Sequence, residues 1–125
     1  MALVDAGRNH LAGILIGEAL TDFNNANAHI GVGNSSTAFS AAHTDLQGGS
    51  KTRKAMDVTY PTRATNVLTF RSTFATGEGN HAWDEWGIFN ASSAGTMFSR
   101  KVEALGTKTS AQSWQITCAL TLTNP

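Results

Sequence analysis

Charge is scarce in this chain. Lys, Arg, Asp and Glu make up 14% of its 125 residues, nine basic against nine acidic. A zero balance excludes the broad positive footprint with which nucleic-acid binders neutralise phosphates, so nucleic acid is not expected as a main partner. It also leaves little repulsion between copies, which favours self-association. Cysteine is almost absent as well. Cys118 stands alone, so it cannot close an intrachain disulfide and has no partner at zinc-site spacing; stability must come from packing or assembly. No apolar run reaches the ~18 residues of a membrane-spanning helix, and no membrane partner is expected. Asp5, Arg8, Asn9 and His10 interrupt the apolar stretch a signal peptide would need, which predicts assembly in a cytoplasm. Without a secretory route, the glycosylation sequons at Asn34 and Asn90 carry little weight.

Small and turn-forming residues fill the space that charge leaves. Gly, Ser, Thr, Asn and Ala dominate, a composition suited to strands joined by many turns. The length suits one domain, residues 1–125, that buries roughly two thirds of its unfolded surface. "LVDAGRNHLAGILIGEALTDF" reads as a single helix over about 5–20, with Val4, Leu11, Ile14, Leu15 and Glu18 on one stripe and Asp5 placed to cap the first turn. Gly7, Gly13 and Gly17 each cost roughly 1 kcal/mol inside a helix, so the segment must dock on something larger. "HIGVG" is a short strand, followed by a long loop from Asn34 to Ser50 in which Ala38, Phe39, Ala41, Ala42 and Leu46 can pack locally. Lys51, Arg53 and Lys54 then form a basic triplet, read as a solvated strand edge or as a match for an acidic groove on another subunit.

The second half alternates as strands do. Leu68, Phe70 and Phe74 share one face of "NVLTFRSTF"; "HAWDEWGIF" and "TMFSRKV" follow across Gly and Ser turns. In "SWQITCALTLT" Trp114, Ile116, Cys118, Leu120 and Leu122 point inward, the strongest such signal in the chain. The expected fold is mainly β, an antiparallel β-sandwich, jelly-roll-like, with one N-terminal helix.

Chemistry is hard to find. His10, His29, His43 and His81 lack a second ligand at metal-site spacing, so no metal and no cofactor is expected. Asp84 and Glu85 are strand neighbours that point to opposite faces and cannot flank one scissile bond; one of them is expected to pair with an Arg or to sit at a subunit contact. No nucleophile elbow or phosphate loop is present, and a mid-strand Cys118 behaves as a small hydrophobe. These readings argue against an enzyme. Trp83 and Trp86 suggest a stacking platform for sugars, but three residues apart on a strand they face opposite sides unless a bulge intervenes. One is expected in the core and the other at an interface.

Three stretches carry a resemblance. Asp5, Gly7, Arg8 and Asn9 in "LVDAGRNHLAGIL", Gly31, Gly33, Thr44 and Leu46 in "AHIGVGNSSTAFSAAHTDL", and Glu85, Gly87, Ile88, Phe89, Asn90, Gly95, Thr96, Met97 and Arg100 in "WDEWGIFNASSAGTMFSR" are the matching positions. Together they resemble a group of small structural proteins of tailed-bacteriophage virions, head decoration or tail-collar-fibre domains, over nearly the whole chain. The resemblance implies a non-enzymatic protein of the virion, assembled in the host cytoplasm. Its expected partners are the major capsid protein and copies of itself, a homotrimer by analogy, or alternatively tail proteins.

A chain ending at Pro125, just after its last strand, fits a capsid decoration or cement protein better than a shafted tail-fibre, collar or baseplate component. A carbohydrate-binding module is the reading from another class. Candidate contacts are Leu3 and Val4 in the arm Met1 to Val4, Phe39 and Leu46 in the long loop, the triplet Lys51, Arg53 and Lys54, and the tryptophans Trp83 and Trp86. Deleting residues 35–48 is expected to weaken attachment to shells and leave the β fold intact.

Overall fold

The computed structural model describes residues 2–123 as a helix and seven strands: α1 (Asp5–Leu15), β1 (His29–Gly33), β2 (Lys51–Ala55), β3 (Thr62–Ala64), β4 (Val67–Phe74), β5 (Ala82–Phe89), β6 (Met97–Thr107) and β7 (Trp114–Thr121). All pairings are antiparallel, in a four-stranded sheet of order β2-β1-β5-β6 and a three-stranded sheet of order β3-β4-β7. The sandwich expected from the alternation is present, with four strands against three where a jelly roll has eight in all. β4 lies against β1 and β2, whereas β7 has no close backbone neighbour in the facing sheet.

The two sheets are coloured differently in sequence because their faces meet different surroundings. β7 alternates buried and exposed residues in register, its inner row Ile116, Cys118 and Leu120 packed on Phe70, Phe74 and Ile88. Leu122, expected inward, falls beyond the strand and is exposed. β5 and the first half of β6 are buried almost continuously, as a strand covered on both faces must be. One face of the larger sheet closes on the inter-sheet core; the other carries a second cluster of Val4, Leu46, Phe89 and Met97 beneath α1 and the long loop. The loop is thus a third layer, while α1 lies along β6 at the edge of the sandwich and reaches the inter-sheet core through Leu11.

α1 departs from the expected helix in length, cap and packing face. It ends at Leu15, because Gly17 takes the left-handed conformation, φ +84°, and the Gly17 amide turns back to the Ile14 carbonyl. Val4, not Asp5, occupies the capping position and makes no side-chain cap; Asp5 instead pairs with Arg8, and its amide donates to the Ala41 carbonyl of the loop. The buried positions are Gly7, His10 and Gly13, while Leu15 is 83% and Ile16 78% exposed. Gly7 is the point of closest contact with the sheet: a Cβ there would sit 2.2 Å from the Phe98 carbonyl oxygen of β6. Val4 and Leu11 of the expected stripe do pack inward, Leu15 does not, and the close backbone approach at Gly7 does the rest.

Candidate functional site

Several of the positions that carry the resemblance, Gly33, Leu46, Glu85, Phe89, Met97 and Arg100, meet on the outer face of the larger sheet. Glu85 of β5 and Arg100 of β6 stand side by side there, both side chains fully buried, with Arg100 Nε donating to Glu85 Oε1 at 2.8 Å. The amides of Gln47 and Gly48 donate to the same carboxylate at 2.8 and 2.7 Å, and Arg100 Nη2 donates to the Thr37 carbonyl at 3.0 Å. A buried ion pair is tolerable only when its remaining lone pairs and protons are met in this way. Gly33 makes the room, since a Cβ there would lie 2.5 Å from Glu85 Oε2. Asn90 closes the β5–β6 turn by accepting from the Thr96 amide and donating to the Thr21 carbonyl. Leu46, in the same loop, plugs the cluster with Val4, Phe89 and Met97.

This arrangement corrects several of the expected contacts. The loop is not a free excursion: deleting residues 35–48 would remove Thr37, Leu46, Gln47 and Gly48 from the buried pair and its cluster, so the β fold would not survive it unharmed. Val4 and Leu46 are core residues and unavailable to a partner. Leu3 is half-buried and forms a bridge to Ser99 on the edge of β6, while Met1 lies outside the described residues. Phe39 remains on the surface, 39% exposed.

The basic triplet is spent within the chain. Lys51 pairs with Asp45 at 2.7 Å, Lys54 with Glu78 at 2.7 Å, and Arg53 with Asp45 at 3.5 Å while its guanidinium stacks 3.6 Å above Phe89 and donates to the Ala91 and Ala94 carbonyls. Burial works to raise the Asp45 pKa, but hydrogen bonds from Lys51 and the Leu46 amide, with the Lys51 and Arg53 charges, together hold it below its ordinary value. The hydrogen bond from Lys54 leads in lowering that of Glu78. The triplet pins the loop and the β4–β5 turn; it is not a basic surface waiting for an acid groove.

The tryptophans also differ from expectation. Trp83 and Trp86 are 2% and 7% exposed and belong to the same inter-sheet core. A break in strand pairing makes this possible. Trp83 stands opposite Gly106 but Glu85 opposite Val102, so Asp84 alone faces Glu103, Ala104 and Leu105, a bulge that turns Trp83 across to the side of Trp86. The parity rule for residues three apart fails at that point only. Both indoles turn into the chain's own core.

Beside the bulge the sandwich opens into a cleft of about 440 Å³, lined by all three tryptophans of the chain with Glu103, Leu105 and residues 113–117 of the β7 edge. Trp83 packs edge-on against Phe74 at 4.9 Å and Trp114 at 5.0 Å, and Trp86 Nε1 donates to Glu103 Oε1 at 3.1 Å. Sequence reasoning missed Glu103 and Trp114 as neighbours of the other two because the pairing shift that joins them leaves no mark in composition or periodicity. The indoles show little ring face to solvent, which is poor geometry for stacking a sugar.

The histidines scatter as their sequence positions suggest: His10 bonds the Thr21 carbonyl, His29 the Asn27 carbonyl, and His81 lies against Thr52. Among the described residues no three His, Cys, Asp or Glu side chains gather as a metal set. Cys118 is buried on the inner face of β7, and desolvation, aided by the Glu103 charge, pushes its thiol up to about 12. No family model matches the chain, and no curated protein matches it.

Proposed function

We propose that this chain is a structural protein of a tailed-bacteriophage virion, a decoration or cement protein that binds the outer head surface and stabilises the shell. What supports this reading is where the resembling positions fall. Gly7 seats the helix, Gly33 admits Glu85, Leu46 plugs the second cluster, and Glu85, Asn90 and Arg100 tie loop and turn to the sheet. Positions scattered over the sequence become one scaffold whose product is a rigid loop-covered face, with Phe39 at its surface. A protein whose work is attachment needs such a face. Burying roughly 1,600 Å² on the shell would give a stable, specific contact. Binding the expanded shell in preference to its precursor would then stabilise that state by mass action.

Quantitative gels of purified particles of the virus that encodes the chain test this reading. Several hundred copies per particle are expected for a head protein; a few dozen would move it to the tail, collar or baseplate, and absence would end the virion reading. A Phe39→Asp variant offered to shells lacking the protein should show reduced occupancy with unchanged thermal stability. Undiminished occupancy would remove the loop face from the contact.

A further inference from the structure

The Trp-lined cleft lies where the smaller sheet is one strand short, and we infer that the free edge of β7 is the site at which two copies of this chain join into a continuous six-stranded sheet. Each sheet has two edges, and three of the four are blocked against pairing. β2 carries Lys51, Arg53 and Lys54; β3 is three residues long and includes Arg63; β6 meets Leu3 at Ser99 and is bulged beyond Val102. These are the devices that keep sheet edges from joining. β7 has none of them. It runs eight residues in unbroken register with β4, and residues 113–123 include no Lys, Arg, Asp, Glu or Pro.

The absence of charge selects the partner. Pairing about a twofold axis sets a strand against its own sequence, so any charge near the axis meets its like. β7 is the one edge that meets this requirement along its whole length. Residues opposite each other in an antiparallel ladder share a face, so the axis passes through a residue rather than between two. An axis through Cys118 places Ala119 against Thr117 on the outer face. It also sets the half-buried Trp114 against the exposed Leu122 of the second copy, so the ladder covers apolar surface on both sides of the axis.

Sedimentation equilibrium of the full chain tests the inference, which is independent of the virion reading. The wild type should approach twice its 13.2 kDa mass at micromolar concentration. Thr117→Lys and Ala119→Lys, each exposed on β7, should weaken the association about tenfold or more, as an edge lysine does. Thr62→Lys, exposed on β3, should leave it unchanged. Far-UV circular dichroism checks the fold of each variant. Hydrogen exchange on the wild type gives a readout without mutation: the alternate amides of 114–121 that point away from β4 should lose protection on dilution, while those bonded to β4 and those of 51–55 keep theirs. A wild type that stays monomeric, as it would if β7 accepts a strand from another protein, overturns the inference. So does a dimer indifferent to both β7 lysines, or one weakened equally by Thr62→Lys.

Discussion

A single missing methyl group sets the distance between α1 and the sandwich. Gly7→Ala raises helix propensity by about 1 kcal/mol, yet its Cβ would meet the Phe98 carbonyl oxygen at 2.2 Å. Backbone cannot swing aside as a side chain can, so the substitution should destabilise the protein, with a lower urea midpoint; a higher midpoint would mean that the helix is held elsewhere. Cys118 gives a second test at this scale. Its thiol has an ordinary value of 9.0 and is pushed to about 12 by burial. Between those limits the folded chain keeps a proton that the unfolded chain releases, so stability falls as pH rises through that window. Cys118→Ala should flatten the fall, and a thiol reagent at neutral pH should label the wild type only as fast as it unfolds.

At the scale of elements, the loop from Asn34 to Ser50 shows how a segment without helix or strand becomes a fixed layer. Its carbonyls and amides are bonded to Glu85 and Arg100, which among the described residues are each other's only ionic partner. Arg100→Met leaves the Glu85 carboxylate buried beside a neutral neighbour, and breaking a buried pair from one side costs about 3–5 kcal/mol. Chemical denaturation should show a loss of that order, with proteolytic cleavage appearing first within residues 35–48. Replacing both partners by apolar residues should cost less, since no charge is then stranded. A loss equal to or greater than that of the single change would mean that the pair is not what fastens the loop. β5 reads as it does because one face serves the inter-sheet core and the other serves this layer, so its apolar residues run together and Glu85, one of its two acids, is paired inside.

For the whole molecule, the sequence by itself determined the class of fold. Alternation in β4 and β7, the Gly and Ser turns between strands, and the low charge specify antiparallel strands around one core, because period-2 burial is a local property that each strand carries alone. It also assigned Cys118 to the interior and left either Asp84 or Glu85 to an Arg partner or a subunit contact, of which the structure supplies the first for Glu85. Tertiary structure decided the rest. The helix face was misread because Gly7 and Gly13 look like defects until Phe98 and Leu20 are seen against them. The tryptophans could not be sorted, because their parity depends on the three residues of β6 that stand against Asp84. Lys51, Arg53 and Lys54 looked free until the loop and turn returned Asp45 and Glu78 to them. Each of these depends on a residue outside the segment's own periodic pattern meeting it at a distance of a few ångströms, and periodicity within one segment contains no information about what the facing segment brings.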